Sequence, residues 1–81
     1  MRPLSHRDVA RAFGVVLKLA REEVALTQEQ LADRAHLDRT TPGLYERGRR
    51  QPTLGTVIDI ATALGLEPAA LVTMTVERLR Q

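Results

Sequence analysis

The chain has 81 residues, enough for one small domain with one modest core and too few for two. Cysteine is absent, which excludes a disulfide framework and thiolate metal ligation and leans towards the cytosol. No stretch approaches the roughly 18 apolar residues of a membrane helix, and the N-terminus MRPLSHRDVA lacks the apolar run of a signal peptide. The formal net charge is only +2, with Lys18 the one lysine among twelve cationic residues. Affinity for a polyanion must therefore come from where the charges lie. Phe13 and Tyr45 are the only aromatics, so the core has to be built from Leu, Val, Ile and Ala.

Ser5 with Asp8 is an N-cap signal. Val9, Phe13, Val16, Leu17, Ala20 and Val24 then recur at helical spacing and predict a first helix over 6–23. Gly14 falls inside it, where glycine costs about 1 kcal/mol relative to alanine; close approach of a neighbouring helix would justify it. Thr27 with Gln30 forms a capping box, and Leu26 with Leu31 the matching hydrophobic staple, so a second helix starts here and runs to about Ala35. His36 ends it, in a place that suits a residue able to adopt positive φ.

The third helix has two readings at its start. Asp38 can cap a helix beginning near Arg39 with a weak or 3₁₀ first turn, which leaves Pro42 where it removes the first intrahelical bond. Alternatively Thr41 caps and Pro42 takes the first helical position. The earlier start, giving a helix over about 39–47, is the expectation carried forward. Its end is set by Gly48 after Arg47. Arg49-Arg50-Gln51-Pro52 is a basic loop, and Thr53 caps a fourth helix with the stripe Leu54, Val57, Ile58, Ala61 and Leu64, ended by Gly65. Pro68 opens a fifth helix with Leu71 and Val72 facing inward. In residues 73–81, Val76 and Leu79 continue the helical spacing, while Thr73-Met74-Thr75-Val76 also has strand character.

The pattern is that of an all-α bundle of five short helices, one domain over 1–81 with its core in about 6–72. A short helix, a three-residue turn and a second short helix closed by glycine occupy Leu26 to Gly48. That is the layout of a helix-turn-helix, whose second helix enters the DNA major groove. Four stretches resemble the lambda repressor and Cro-like family, also called the XRE family. They are Phe13-Gly14 with Ala20-Arg21; Leu26-Thr27-Gln28-Glu29-Gln30-Leu31-Ala32; Tyr45-Glu46-Arg47-Gly48-Arg49-Arg50-Gln51-Pro52-Thr53-Leu54; and Ala61-Thr62-Ala63-Leu64-Gly65-Leu66. Each alone is weak; in this order they are specific. Pro42, where a β-branched core residue is usual, and His36, where the family turn has glycine, depart from the pattern.

The resemblance implies a lambda repressor-like fold and a double-stranded DNA partner. It places Arg39, Thr40, Gly43 and Leu44 at base-reading positions, with Arg39 suited to bidentate contact with guanine and Leu44 to a thymine methyl group. Gly43, without a side chain, would only permit close approach. Thr27 and Gln28 at the start of the second helix, and Arg47, Arg49 and Arg50 at the far end of the third, would meet phosphates. Arg21 and Glu46 match a family ion pair joining the first helix to the third.

A single such domain reads few base pairs, so a homodimer on a palindrome is expected, with Leu71, Val72, Val76, Leu79 and the tail 73–81 in the dimer interface. The expected role is a cytoplasmic, nucleoid-associated regulator of bacterial or phage transcription that blocks RNA polymerase or contacts it. Leu37-Asp38-Arg39-Thr40 leans towards the restriction–modification controllers over small phage repressors and antitoxins. The rival reading is a helical protein–protein module that has lost DNA binding; one face carrying Gln28, Arg39, Arg47, Arg49 and Arg50 argues against it. His6 and His36 lack a third ligand for a metal, and no cofactor or catalytic group is expected.

Overall fold

A computed structural model describes residues 5–81 of the protein. Five helices follow in chain order: α1 His6–Glu23, α2 Gln28–Arg34, α3 Thr41–Glu46, α4 Leu54–Leu64 and α5 Pro68–Leu79, with no strand among the described residues. The boundaries follow the local chemistry. The Ser5 hydroxyl accepts from the Asp8 N–H. Both arms of the capping box are formed, with Gln30 N–H donating to Thr27 Oγ1 and Thr27 N–H donating to Gln30 Oε1. Thr53 caps α4 through the N–H of Thr56.

α1 is the central element and packs against both α3 and α5, while α2 touches α3 and α4, and α4 leans on α5. Leu17, Leu31, Ile60, Leu71 and Pro42 are the largest fully buried side chains. Phe13 and Tyr45 meet edge to face across the α1–α3 contact, ring centroids 6.4 Å apart.

Three expectations about faces are corrected. α4 is apolar almost all round, so period alone does not choose its inner side. Ile60, Ala61 and Leu64 are buried with Val57 against them, whereas Leu54 and Ile58 are 73% and 44% exposed. On α5 the inward residues are Leu71 and Thr75; Val72 stands 47% exposed. Val24 also lies outside the core, at the exposed end of α1. The tail forms no strand but continues α5 to Leu79. Burying Leu71 and Thr75 outweighs the weak helix preference of the β-branched residues, and the Thr75 hydroxyl is satisfied by donating to Leu71 O at 3.0 Å.

Candidate nucleic-acid interface

The segment between α2 and α3 is built around Asp38. Its Oδ1 accepts from the backbone N–H of Thr40 at 3.0 Å and from the Thr40 hydroxyl at 2.9 Å, while Asp38 O accepts from Thr41 N–H. These bonds, the backbone one foremost, hold the Asp38 carboxyl below its ordinary pKa. Arg39 and Thr40 thus sit in a side-chain-capped turn, and the recognition helix begins at Thr41 rather than near Arg39. Pro42 explains the shift. A helix starting at Arg39 would need an N–H from Pro42 for its first bond, whereas after a start at Thr41 the proline falls among the helix-end groups that have no intrahelical partner. Pro42 is fully buried and takes the core role that a branched residue fills in the resembling family.

α3 is held to α1 by two devices that act at the same place. A Cβ on Gly14 would lie 2.5 Å from Tyr45 O and 2.7 Å from Glu46 O, so only glycine lets α1 approach the backbone of α3 this closely. Beside it, Arg21 Nε and Nη2 donate to the two oxygens of Glu46 at 2.7 and 3.0 Å, and Arg21 Nη1 donates to Leu26 O at 2.7 Å. The pair is largely buried, with side-chain exposures of 12% and 4%. The hydrogen bonds to Glu46, acting against desolvation, raise the Arg21 pKa further above its already high ordinary value. Glu46 Oε1 also accepts from Gln28 Nε2 at 3.1 Å, so one carboxylate joins α1, the start of α2 and the end of α3.

These contacts shape a groove of about 560 Å³ whose lining includes Thr27, Gln28, Arg39, Thr40, Gly43 and Arg47. Residues far apart in sequence meet on one surface there. Gln28 has spent one amide hydrogen on Glu46 and keeps the second. The Thr27 hydroxyl accepts its cap bond and keeps its own proton to donate. Gly43 is buried on the groove floor, where a Cβ would stand 3.0 Å from Arg47 Nη1 and 3.3 Å from Gln28 Oε1. Arg47 therefore reaches back over Gly43 into the groove instead of standing beyond the end of the helix.

The remaining expected residues divide. Leu44 is half-buried, one turn on from Thr40, and is not among the residues lining the groove. Arg49 and Arg50 line a second cleft, of about 570 Å³, whose other wall is the first turn of α1 with His6 and Arg7. No sequence signal links Arg7 to that loop; only the packing of α1 on α3 does. Of the expected interface residues on α5, Leu71 is 0% exposed and belongs to the monomer core, so it cannot form a subunit surface. Val72 and Val76 remain exposed, and Leu79 is half-buried.

A family model described as a helix-turn-helix domain matches residues 12–73. The chain belongs to the helix-turn-helix family of DNA-binding transcriptional regulators. This helix-turn-helix protein is 37% identical over 70 residues to an uncharacterized HTH-type transcriptional regulator, y4dJ, of Sinorhizobium fredii, covering 86% of this chain and 91% of that one. It is 42% identical over 59 residues to the immunity repressor protein of Bacillus phage phi105, where the match covers 73% of this chain but only 41% of the repressor. Among solved structures it resembles the restriction–modification controller protein C.AhdI from Aeromonas hydrophila, with 40% identity, a TM-score of 0.74 and coverage of 76% of this chain and 94% of that one. A second controller, C.Esp1396I, was solved as a tetramer in complex with its natural 35 base-pair operator; the match has 27% identity, a TM-score of 0.81 and 90% and 96% coverage. Among the described residues, no single helix of the helix-turn-helix protein is long and apolar enough to cross a membrane.

Proposed function

We propose that the protein binds a palindromic DNA operator as a homodimer and regulates transcription initiation from it. The observation that carries this reading is the groove. Arg39 and Thr40 in the Asp38 turn and Arg47 over Gly43 line it on the α3 side, with Thr27 and Gln28 across from them. In this reading Arg39 and Thr40 face base edges in the major groove, and Arg39 makes bidentate contact with guanine. Thr27, Gln28, Arg49 and Arg50 meet phosphates and fix the register. Leu44, half-buried and outside the lining of the protein groove, meets a thymine methyl group in this reading. The subunits meet through Val72, Val76 and Leu79 of α5, joined by the exposed Ile58 of α4. Blocking RNA polymerase or contacting it are both open to such a dimer. The likeness to C.AhdI and the Leu37-Asp38-Arg39-Thr40 segment favour a controller role, and the localisation that goes with this reading is cytoplasmic, at the nucleoid.

Selection from random duplex DNA tests this reading. A palindromic consensus is expected, and Arg39→Ala should relax preference at one position in each half-site, a discrimination of roughly 1–3 kcal/mol. Arg49→Ala should weaken binding to all sequences alike. If Arg39→Ala ranks every site variant as the parent does, the base contact is wrong. If affinity for duplex DNA is indifferent to salt, the DNA reading fails and the protein–protein module takes its place.

A further inference from the structure

The second cleft has a composition that the groove does not share. Its walls are the first turn of α1, with His6 and Arg7, and the loop after α3, with Arg49, Arg50 and Gln51; Thr53 closes it at the α4 cap. No aspartate or glutamate lines it, and among the described residues none of its arginines makes an ion pair, since the one such pair joins Arg21 to Glu46. Arg7 is also placed against local preference. It occupies the first turn of an 18-residue helix, where the helix dipole disfavours a cation and favours an anion. The cleft is held in shape as well. Gln51 Nε2 donates to His6 O at 3.0 Å, pinning the loop to α1. Gly48 lies against the stem of Arg11, with a Cβ there standing 3.1 Å from Arg11 Cγ. The Asp38 carboxylate, outside the cleft, feels the charge of Arg50, but no carboxylate stands in the lining itself, so three guanidinium groups around a braced cleft form a seat for an anion.

The anion can be named by position. Arg49 and Arg50 follow the recognition helix directly, so a DNA backbone leaving the major groove past them runs into this cleft. We propose that Arg7 is a further phosphate-binding residue, and that the cleft it forms with Arg49 and Arg50 holds the backbone of the same duplex outside the base-reading groove. This rests on the DNA-binding reading above and extends its footprint beyond the helix-turn-helix onto α1. It predicts that the protein needs flanking base pairs which it does not read.

The test compares Arg7→Ala and Arg7→Lys with the parent chain on two duplexes, one ending at the selected half-sites and one extended by several base pairs of arbitrary sequence on each side. On the extended duplex, Arg7→Ala should weaken binding several-fold and lower the magnitude of the log–log salt slope by about 0.9 for each phosphate that is no longer neutralised. Arg7→Lys should keep most of that slope. On the trimmed duplex the parent and Arg7→Ala should converge. Arg7 is exposed, so unchanged thermal unfolding would show that the fold is intact; a variant that does unfold is replaced by Arg7→Gln. A parent slope retained in Arg7→Ala, or an equal loss on both duplexes, overturns the role of Arg7 and leaves the DNA reading standing. A parent with no salt-dependent affinity removes both.

Discussion

Among the described residues, four helices are closed by a residue with left-handed backbone just past their last turn: Ala25 at φ 56, His36 at φ 58, Gly48 at φ 69 and Gly65 at φ 73. Each end closes in the same way, with the N–H of the next residue donating back five positions. The bonds are Leu26 to Arg21 O, Leu37 to Ala32 O, Arg49 to Leu44 O and Leu66 to Ala61 O. Three of the four are followed by a leucine that is in the core or packs against it; the fourth is followed by Arg49, at the proposed DNA side. Glycine makes two of these ends readable from sequence, and histidine a third. Ala25 carries no such signal, because alanine is the residue least expected to stop a helix. Its only mark is the leucine after it. An alanine in this conformation carries a steric cost of roughly 1–2 kcal/mol that glycine does not, while glycine adds about 0.4–1 kcal/mol of chain entropy to the unfolded state. Ala25→Gly should therefore stabilise the protein by about 0.5 kcal/mol, read as a rise of roughly 2–4 °C in Tm for a domain this small. A fall in Tm would show that the steric relief is smaller than the entropy.

Between elements, the decisive contact is α1 on α3, and the sequence discloses half of it. A glycine inside a helical run signals close approach, and the structure supplies the surface approached, the carbonyls of Tyr45 and Glu46. Likewise Arg21 and Glu46 are paired by resemblance, but the third partner, Gln28, is not visible in the sequence. A hydrogen bond from the start of α2 to the end of α3 depends on a crossing geometry that no local pattern encodes. The start of α3 departs from expectation for a different reason. Asp38 does cap, but it caps a turn, and Pro42 defers the helix to Thr41. Gly14→Ala separates helix propensity from packing. Propensity alone would make the substitution favourable by up to about 1 kcal/mol, yet its Cβ would stand 2.5 Å from a backbone oxygen that cannot swing away. Overpacking of this kind costs roughly 1–3 kcal/mol, so the urea midpoint should drop, and DNA affinity with it as α3 is pushed outward. Gly55→Ala is the control: the nearest atom to its Cβ is Thr53 Oγ1 at 3.9 Å, so stability should hold or rise by a few tenths of a kcal/mol. Equal effects from the two substitutions would refute the packing argument.

At the scale of the whole molecule, the recognition element is too short to act alone. α3 has six residues, about 9 Å of helix at 1.5 Å per residue, which spans only about three base pairs. The described residues hold one helix-turn-helix, α2 with α3, so one copy cannot place a second reader a DNA turn, roughly 34 Å, away. In the proposed dimer a second copy does so, and the exposed apolar residues of α5 and α4 are the proposed surface. Ile58, Val72 and Val76 are 44%, 47% and 38% exposed, although residues of these types are usually buried. The monomer core does not need them, because Ile60, Leu64 and Leu71 already fill the space between α4, α5 and α1. Val72→Glu with Val76→Glu should then leave the fold intact while placing like charges across a two-fold contact. The variant is expected to sediment as a monomer at concentrations where the parent is a dimer. Its operator affinity should fall by more than a hundredfold, with the salt slope roughly halved because one copy holds half the phosphates. Binding to an isolated half-site should stay as in the parent. A double variant that remains dimeric would move the interface off this face of α5. One that is monomeric but binds the full operator as tightly as the parent would show that pairing adds nothing to recognition.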